Sequence, residues 1–352
     1  MNSKIIATGS YIPTKIKFNK DFLINSFLDS QGDKIQSKNS EIINKFESIT
    51  GIKQRKYVNN SLTSSDIATE ASINAINSSS IDKESIDYII LAHNIGDVTH
   101  ESNQVDAMPS LASRVKSKLK IENPNCIAYD ILFGCPGWLE GVIQANAFIK
   151  AGIAKRCLVI GAETLSRVID SNDRDGMIFA DGAGAVIIEY SNGTDGVLSH
   201  KTQTYSNNSE TNYIYYGKSN TLIKDETKYI KMQGRKVYEF ALSNVPNAMK
   251  KCFDETGHDI KNLKKIFIHQ ANQKMDEAII NRFYKLYDLN PPENILPMNI
   301  EVFGNSSTAT IPTLLDLVLK DNYNGHKIKK GDLILFASVG AGMNINAISY
   351  QF

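Results

Sequence analysis

Residues 131–141 read Ile-Leu-Phe-Gly-Cys-Pro-Gly-Trp-Leu-Glu-Gly, and no other stretch of the chain says as much about its fold. An apolar run ends at Cys135, between glycine and proline, and a long helical pattern begins directly after it. This predicts a strand, a sharp turn and a thiol at the start of a helix. Because the positive end of a helix lowers the pKa of a thiol, we expect a nucleophilic thiolate here. The alternative is a small buried cysteine that only packs, as we expect of Cys157.

Short apolar strands alternate with helical stretches in both halves of the chain. We predict strands at Lys4–Thr8, Tyr88–Ala92, Ile127–Leu132, Leu158–Gly161, Ala185–Glu189, Lys265–His269, Ile295–Asn299, Leu333–Ser338 and Ala347–Tyr350. We predict helices at Asp66–Ile76, Pro109–Leu119, Gly234–Phe253, Asn272–Tyr287 and Thr310–Leu319. This alternation indicates an α/β protein with largely parallel, buried sheets.

The similar order of elements suggests two related halves, residues 1–195 and residues 196–352. Residues 191–229 are rich in Asn, Ser, Thr and Gly, so we expect loops between the halves. Residues 26–50 are polar, and we expect an exposed loop or helix there without chemistry of its own.

The composition is that of an ordinary folded enzyme, since 42% of the 352 residues are hydrophobic, 22% are charged and the net charge is +1. So small a charge gives no reason to expect nucleic acid or an anionic membrane as a partner. No apolar run reaches ~18 residues, so we expect no membrane span, and the start lacks the apolar core of a signal peptide. The four cysteines are widely spaced without a CxxC pair, which argues against zinc and disulfides and favours a cytoplasmic location.

Three further patterns complement Cys135. His269 ends a buried apolar strand just before a helix, a position that favours a neutral imidazole. Asn305 follows a glycine at a tight turn, so its amide either caps the next helix or donates into a cavity. The third is Ala-Ser-Val-Gly-Ala-Gly-Met at 337–343, a small-residue loop whose backbone, including Ala341, can approach a ligand closely.

Together these residues fit acyl transfer. A cysteine attacks an acyl carbonyl and becomes a thioester, while two neutral donors, His269 and Asn305, stabilise an enolate oxygen. The backbone N–H groups of Cys135 and Ala341 can stabilise a tetrahedral oxyanion. A hydrolase that uses the histidine as its base and water as the acceptor is an open alternative.

The chain resembles the ketoacyl-acyl-carrier-protein synthase III family of the thiolase superfamily over essentially its whole length. The number, order and spacing of the shared motifs carry the resemblance, and these motifs occupy residues 4–13, 50–55, 135–137, 173–174, 181–185, 269–272, 304–307 and 340–342. The resemblance implies the layered αβαβα thiolase fold, a homodimer and a decarboxylative Claisen condensation without a bound cofactor or metal.

The resemblance also implies roles for single residues. Cys135 is the acylated nucleophile, and His269 and Asn305 serve the decarboxylation half-reaction. Asp-Gly-Ala-Gly at 181–184 is a structural signature and not a phosphate-binding loop, because it does not open a nucleotide-binding βαβ unit.

Two departures from the family pattern concern the substrate. Where the family has a tryptophan and an arginine that sandwich the adenine of coenzyme A, this chain has Lys45 and Ile49. Ahead of Pro109, where the family usually has a phenylalanine that caps the partner subunit's acyl pocket, this chain has Met108. A flexible thioether suits a longer or bulkier acyl chain. The departures favour a specialised condensing enzyme, of the kind that makes dialkylresorcinol-like or other secondary lipids.

The leading hypothesis is therefore the condensation of an acyl thioester with a malonyl- or β-ketoacyl-type thioester, in fatty-acid initiation or in specialised lipid or polyketide synthesis. The expected partners are acyl carrier protein, acyl-coenzyme A or both, and Arg174 and Lys274 are candidates to meet the phosphopantetheine arm or an acidic carrier protein. Both side chains also fit simple solvated surface charges. The alternatives are a cysteine-dependent acyl transferase or thioesterase without condensation, and a non-catalytic subunit that binds an acyl carrier.

Overall fold

The computed structural model describes residues 2–102, 104–207, 209–221 and 226–352. The strands are β1 (Asn2–Tyr11), β2 (Lys15–Phe18), β3 (Gln54–Tyr57), β4 (Tyr88–Ala92), β5 (Ile127–Ile131), β6 (Arg156–Thr164), β7 (Asp181–Ser191), β8 (Gly196–Thr204), β9 (Ile214–Lys218), β10 (Lys228–Met232), β11 (Leu263–Ile268), β12 (Leu333–Gly340) and β13 (Asn344–Gln351). The α-helices are α1 (Asn39–Thr50), α2 (Ser64–Asn77), α3 (Leu111–Lys118), α4 (Gly137–Lys150), α5 (Gly234–Asp254), α6 (Gln273–Lys285), α7 (Ile300–Phe303) and α8 (Thr310–Asp321). Among the described helices, none combines the length and the apolar character that a membrane span requires.

The first sheet is built from strands within residues 2–191, in the order β1-β7-β6-β4-β5. β4 is parallel to β5 and β6, whereas β7 is antiparallel to both of its neighbours, so one strand runs against the rest. β5 is an edge strand, and the turn that holds Cys135 follows its last residue, Ile131.

The second sheet repeats this plan with strands within residues 196–351, in the order β11-β12-β13-β8. β11 and β12 are parallel, and β13 is antiparallel to both of its neighbours. The backbone N–H of His269 donates to Ala337 of β12 at 2.9 Å, which fixes the histidine at the end of this sheet. The first sheet ends at Ser191 and the second begins at Gly196, on either side of the division that we expect at residue 195.

Five layers stack in the order helices, sheet, helices, sheet, helices. α4 and α8 lie between the sheets, where their side chains form one buried cluster with residues of both sheets, including Trp138, Leu314 and Phe336. α2 and α3 cover the outer face of the first sheet, and α5 and α6 cover the outer face of the second. Helices that are apolar on several sides, such as α4, are stable only when they are buried in this way. The predicted layered αβαβα fold is thus confirmed.

The predicted strand Ile295–Asn299 is wrong. In the described structure, one backbone hydrogen bond joins this segment to β11, from the Ile266 N–H to the Ile295 carbonyl at 2.9 Å. Pro297 has no N–H to donate, and the Asn299 N–H donates to the Gln270 side chain instead, at 2.9 Å. The segment therefore contacts β11 without forming a strand of the sheet.

The expectation of loops over residues 191–229 is also wrong in part, because this region contains β8 and β9. β8 is an edge strand, and its side chains alternate between half-buried and exposed along the second half of its length. Its sequence is consequently as polar as that of a loop.

The Asp-Gly-Ala-Gly signature at residues 181–184 lies within β7. A Cβ on Gly184 would lie 2.7 Å from the Pro312 Cβ of α8, so the signature is a packing motif.

Candidate active site

Cys135, His269 and Asn305 line one cavity of about 190 Å³, although they are far apart in the sequence. The other walls are mostly apolar and include Leu165, Phe179, Ile214, Tyr215, Tyr216, Ile230, Met232, Val237 and Val339. A few polar groups that converge in an apolar cavity are typical of a site for a small molecule or an acyl chain.

Two close backbone approaches hold Cys135 in place. Gly134 has a φ of +68°, and a Cβ on it would lie 2.6 Å from the Ala341 nitrogen. A Cβ on Gly340 would lie 2.4 Å from the Cys135 nitrogen. Because only glycine tolerates such approaches, the small-residue loop brings the backbone of Ala341 beside the backbone of Cys135.

Burial opposes the expected thiolate character of Cys135. Burial raises the pKa of the Cys135 thiol to about 12, a hydrogen bond from Ser307 opposes this rise, and Glu163 adds to it. The loss of hydration thus outweighs the favourable position before α4. The other three cysteines are buried, so access to the cavity, and not acidity, distinguishes Cys135.

His269 is a neutral imidazole. Burial lowers its pKa to about 4, and a backbone hydrogen bond at Ser307 opposes part of this change. Its Nδ1 is buried and has no hydrogen-bond partner among the described residues. His269 lines the cavity, so its ring is placed to hydrogen-bond a group of the substrate there.

Asn305 is fixed by its backbone and by its own amide oxygen. The Asn305 N–H donates to Ile178 at 3.0 Å, and its carbonyl accepts from Ala180 at 2.8 Å. The Oδ1 accepts the Ser307 N–H at 2.7 Å, which orients the amide and leaves its NH₂ group as a donor for the cavity.

A second cavity, of about 780 Å³, adjoins the first, and the two share Met232, Val237, Ala271 and Met275. α1 contributes Lys45 and Ile49 to its wall. Segment 26–50, for which we expect no chemistry of its own, therefore contributes lining residues to the candidate site. The shared lining makes the two cavities one passage from α1 to Cys135.

The remaining residues that we predict for the site lie in different places. Ala341 lines the inner cavity, and Arg174 lines the outer one with its side chain 4.0 Å from Asp175. Met108, with 86% of its surface exposed, and Lys274, also exposed, are not among the residues that line these two cavities. Within one chain, the cavities thus bring together Cys135, His269, Asn305, Ala341 and Arg174.

Sequence reasoning missed two polar residues beside the thiol. The Ser307 hydroxyl donates to the Cys135 Sγ at 3.2 Å, and the Asn94 amide donates to the Ser307 Oγ at 2.8 Å. Ser307 belongs to the motif Gly-Asn-Ser-Ser at 304–307, but the motif alone does not show which hydroxyl faces the thiol. Asn94 follows β4 outside any recognisable motif.

Comparisons with known proteins agree with this geometry. The family described as 3-oxoacyl-[acyl-carrier-protein (ACP)] synthase III matches residues 129–206, which include Cys135. Its C-terminal part matches residues 253–352, which include His269 and Asn305.

Similar proteins match along their entire length. The beta-ketoacyl-[acyl-carrier-protein] synthase III of Prochlorococcus marinus (strain NATL2A) is 32% identical over 357 residues, which cover 99% of this chain and 95% of that protein. The corresponding protein of Aquifex aeolicus (strain VF5) is 30% identical, and the match covers 100% of both chains.

Solved structures show the same fold. The 3-oxoacyl-[acyl-carrier-protein] synthase III of Aquifex aeolicus VF5 superposes with a TM-score of 0.82 at 29% identity, over 99% of this chain and 100% of that chain. The beta-ketoacyl-[acyl-carrier-protein] synthase III of Thermus thermophilus gives a TM-score of 0.81 at 28% identity, over 99% of each chain. The protein belongs to the 3-oxoacyl-[acyl-carrier-protein] synthase III family of thiolase-like condensing enzymes and is an acyltransferase.

Proposed function

We propose that the enzyme joins an acyl group to a malonyl- or β-ketoacyl-type thioester by Claisen condensation through an acyl-enzyme on Cys135. The observation that carries the proposal is the single cavity that the Cys135 thiol, the neutral imidazole of His269 and the oriented Asn305 amide line together. The similarity to synthase III proteins over the full length supports the same reaction.

The first half-reaction transfers the acyl group to the enzyme. The Cys135 sulfur attacks the thioester carbonyl, the bond to the donor sulfur breaks, and the donor leaves as a thiol that carries the proton from Cys135. Because the pKa of Cys135 is raised to about 12, this proton has to move as the bond forms. The backbone N–H groups of Cys135 and Ala341 are suited to stabilise the oxyanion.

The second half-reaction forms the carbon–carbon bond. A malonyl-type thioester loses carbon dioxide, and the resulting enolate carbon attacks the acyl-enzyme carbonyl and releases the Cys135 thiolate. Negative charge develops on the thioester oxygen of the extender. His269, which is neutral at physiological pH, and the Asn305 amide would donate hydrogen bonds to that oxygen.

The lining of the outer cavity bears on which thioester, acyl-coenzyme A or acyl carrier protein, donates the acyl group. Lys45 and Ile49 of α1 line it in place of an adenine clamp, so coenzyme A would lose stacking and cation–π contacts there. Carrier-protein docking does not need these contacts, because it proceeds through charges such as Arg174 at the cavity. We therefore favour medium to long acyl groups on a carrier protein as donors, in a specialised lipid pathway.

The proposal includes a homodimer and a cytoplasmic location. β5 is an edge strand with Ile127 exposed at its start, and the exposed Leu132 follows it. An unpaired apolar edge of this kind favours pairing with a second copy. Met108 is also exposed, and in the dimer it would reach the partner's acyl pocket. All four cysteines are free, as expected in a reducing compartment.

Intact-protein mass spectrometry after incubation with a panel of acyl thioesters tests the nucleophile. We expect an adduct whose mass identifies the acyl group and whose peptide map locates it on Cys135, and we expect no adduct in Cys135→Ala. The matched controls are single alanine variants of Cys126, Cys157 and Cys252, which are buried away from the cavity and should retain transfer. An acyl adduct that survives in Cys135→Ala would exclude the mechanism.

The same experiment separates the alternatives. Addition of a malonyl thioester should release carbon dioxide and a β-ketoacyl product. Acylation followed only by free acid would indicate a thioesterase, and carrier binding without acylation would indicate a non-catalytic subunit.

A further inference from the structure

We propose that Ser307 is a positioning residue whose hydroxyl, oriented by Asn94 and Glu163, donates a hydrogen bond to the Cys135 Sγ and stabilises the attacking thiolate. The inference rests on the proposed function, because it adds a role for Ser307 to the same acyl transfer. It starts from the 3.2 Å contact between the Ser307 Oγ and the Cys135 Sγ.

The direction of this hydrogen bond follows from the groups around Ser307. The Asn94 Nδ2 donates to the Ser307 Oγ at 2.8 Å and also donates to the Glu163 Oε1, so both of its hydrogens are used. The Glu163 Oε1 accepts from Thr308 at 3.1 Å as well, which fixes the carboxyl group. With one lone pair of its oxygen used by Asn94, Ser307 donates its own hydrogen to the sulfur.

The backbone of Ser307 ties the same residue to the other two candidate catalytic groups. Its N–H donates to the Asn305 Oδ1 at 2.7 Å, and its backbone hydrogen-bonds to His269. Ser307 has a φ of +50°, a conformation that glycine adopts more easily than serine. The hydroxyl is thus placed at a backbone position that is itself fixed by the site.

The effect on the thiol follows from its environment. A buried thiolate has lost its hydration, and a hydrogen bond to the charged form lowers the cost of forming it. The titratable groups that face this network are Glu163 on β6, His93 after β4, His269 after β11 and Tyr216 on β9. Glu163 titrates with a pKa of about 7, so its ionisation is expected in the wild type and in the variants alike.

The test is the pH dependence of alkylation of Cys135 by iodoacetamide, followed by peptide mapping. Ser307→Ala and Ser307→Gly both remove the hydroxyl, and Ser307→Gly also fits the positive φ, so a folded variant is available even if alanine is poorly tolerated. We expect each variant to raise the pKa of the Cys135 thiol by about one unit. Alkylation at a fixed pH should then be roughly tenfold slower, because less of the thiol is ionised. Asn94→Ala keeps the Ser307 hydroxyl but removes the group that orients it. We expect the pKa of the Cys135 thiol to rise in this variant as well, by a smaller amount.

The matched control is Ser306→Ala. Ser306 is the neighbouring buried serine of the same turn, and it lies beside Gly182 instead of the thiol. In acylation assays, Ser307→Gly should lower the rate constant of acylation about tenfold and change the KM of the acyl thioester less than twofold. Alkylation and acylation of Ser307→Gly at the rates of Ser306→Ala would overturn the proposal. A wild-type enzyme that is alkylated but never acylated would instead overturn the proposed function and leave the Ser307 comparison valid.

Discussion

Cys135 combines access to the cavity with a strongly raised pKa. It is half-buried at the cavity while the other thiols are fully buried, yet burial raises its pKa to about 12. The reason is that the cavity around the sulfur is largely apolar. A neutral thiol is a poor nucleophile and is oxidised slowly, so under the proposed mechanism the cysteine stays protonated until the leaving donor sulfur takes its proton.

His269→Ala and Asn305→Ala should separate the two half-reactions. Each removes a donor to the enolate oxygen, so we expect acyl-enzyme to form while decarboxylation of the extender falls by about a hundredfold or more. Single-turnover acylation, measured beside the release of carbon dioxide, distinguishes the steps. If either variant decarboxylates normally and fails only in acylation, the histidine or the amide acts on the first step, and a hydrolase-like base becomes the better assignment.

Asp276 in α6 should destabilise the protein increasingly as the pH rises. Its carboxyl group is fully buried without a hydrogen-bond partner among the described residues, and burial raises its pKa well above the usual range. At pH values between the pKa of Asp276 in the unfolded state and its higher pKa in the folded state, the native protein holds a proton that the unfolded chain releases. The free energy of unfolding therefore falls with rising pH, by up to about 1.4 kcal/mol per pH unit. Asp276→Leu removes this dependence, and we expect its free energy of unfolding to exceed that of the wild type by about 1–3 kcal/mol near pH 7.

Urea unfolding at several pH values between 6 and 8 measures this difference. Glu277→Gln is a second variant, because the charge of Glu277 adds to the rise in the Asp276 pKa, and we expect this variant to reduce the pH dependence slightly without removing it. A stability gap between Asp276→Leu and the wild type that stays constant with pH would show that Asp276 does not titrate as argued.

At the scale of elements, α1 and the strand pair β9–β10 close the site from two sides. Lys45 and Ile49 of α1 line the outer cavity, while Tyr215 and Tyr216 of β9 line the inner one. Neither element belongs to the layered core, so their residues can change without disturbing the sheets that hold Cys135 and His269. The chemistry and the choice of substrate therefore depend on different elements.

The double variant Lys45→Trp/Ile49→Arg should restore a preference for coenzyme A. Stacking and cation–π contacts contribute on the order of 1 kcal/mol each, so we expect acylation by acyl-coenzyme A to rise several-fold while carrier-protein donors change little. In the wild type, the same medium or long acyl group should react faster from the carrier protein. Acylation rates measured side by side with both donors provide the check. Equal wild-type rates, with acetyl as the best primer, would indicate an ordinary initiation enzyme.

Elements with a strong hydrophobic pattern were predictable from the sequence, and those with mixed patterns were not. The helices Gly234–Asp254 and Gln273–Lys285 lie within about two residues of their predicted bounds, because one side of each packs on a sheet. The polar edge strand β8 has no such pattern, whereas segment 295–299 has one but contains Pro297, which has no N–H, and Asn299, whose N–H donates to Gln270. A hydrophobic pattern indicates which residues are buried, but it does not indicate which neighbouring group accepts a given backbone hydrogen bond.

At the scale of the molecule, the candidate site draws its residues from both sheets and from the helix between them. The first sheet leads to Cys135 and the second to His269, while Asn305 lies before α8, between the sheets. The resemblance to a family was sufficient to predict the five layers and to select three residues that line one cavity. The raised pKa of the thiol and the contact with Ser307 depend on distances of a few ångströms after folding, so spacing along the chain did not predict them.

The last prediction concerns the second copy of the chain. Leu132 is 70% exposed just beyond the edge strand β5, and a charge there would oppose the apolar pairing of two edges. We expect Leu132→Glu to shift the protein from dimers to monomers in sedimentation velocity and to lower the acyl-transfer rate. Met108→Phe should leave the dimer intact and shift the acyl preference towards shorter chains, because a rigid ring would replace a flexible thioether at the partner's pocket.

Ile24→Glu is the matched control, since Ile24 is a more exposed apolar residue that lies outside the β5 edge, at 92% exposure. It should remain dimeric and active. If Leu132→Glu sediments like the wild type, the two copies do not associate through this edge. If Met108→Phe then also keeps the wild-type chain preference, Met108 does not reach a neighbouring pocket, and the acyl length is set within one chain by residues such as Tyr215 and Tyr216.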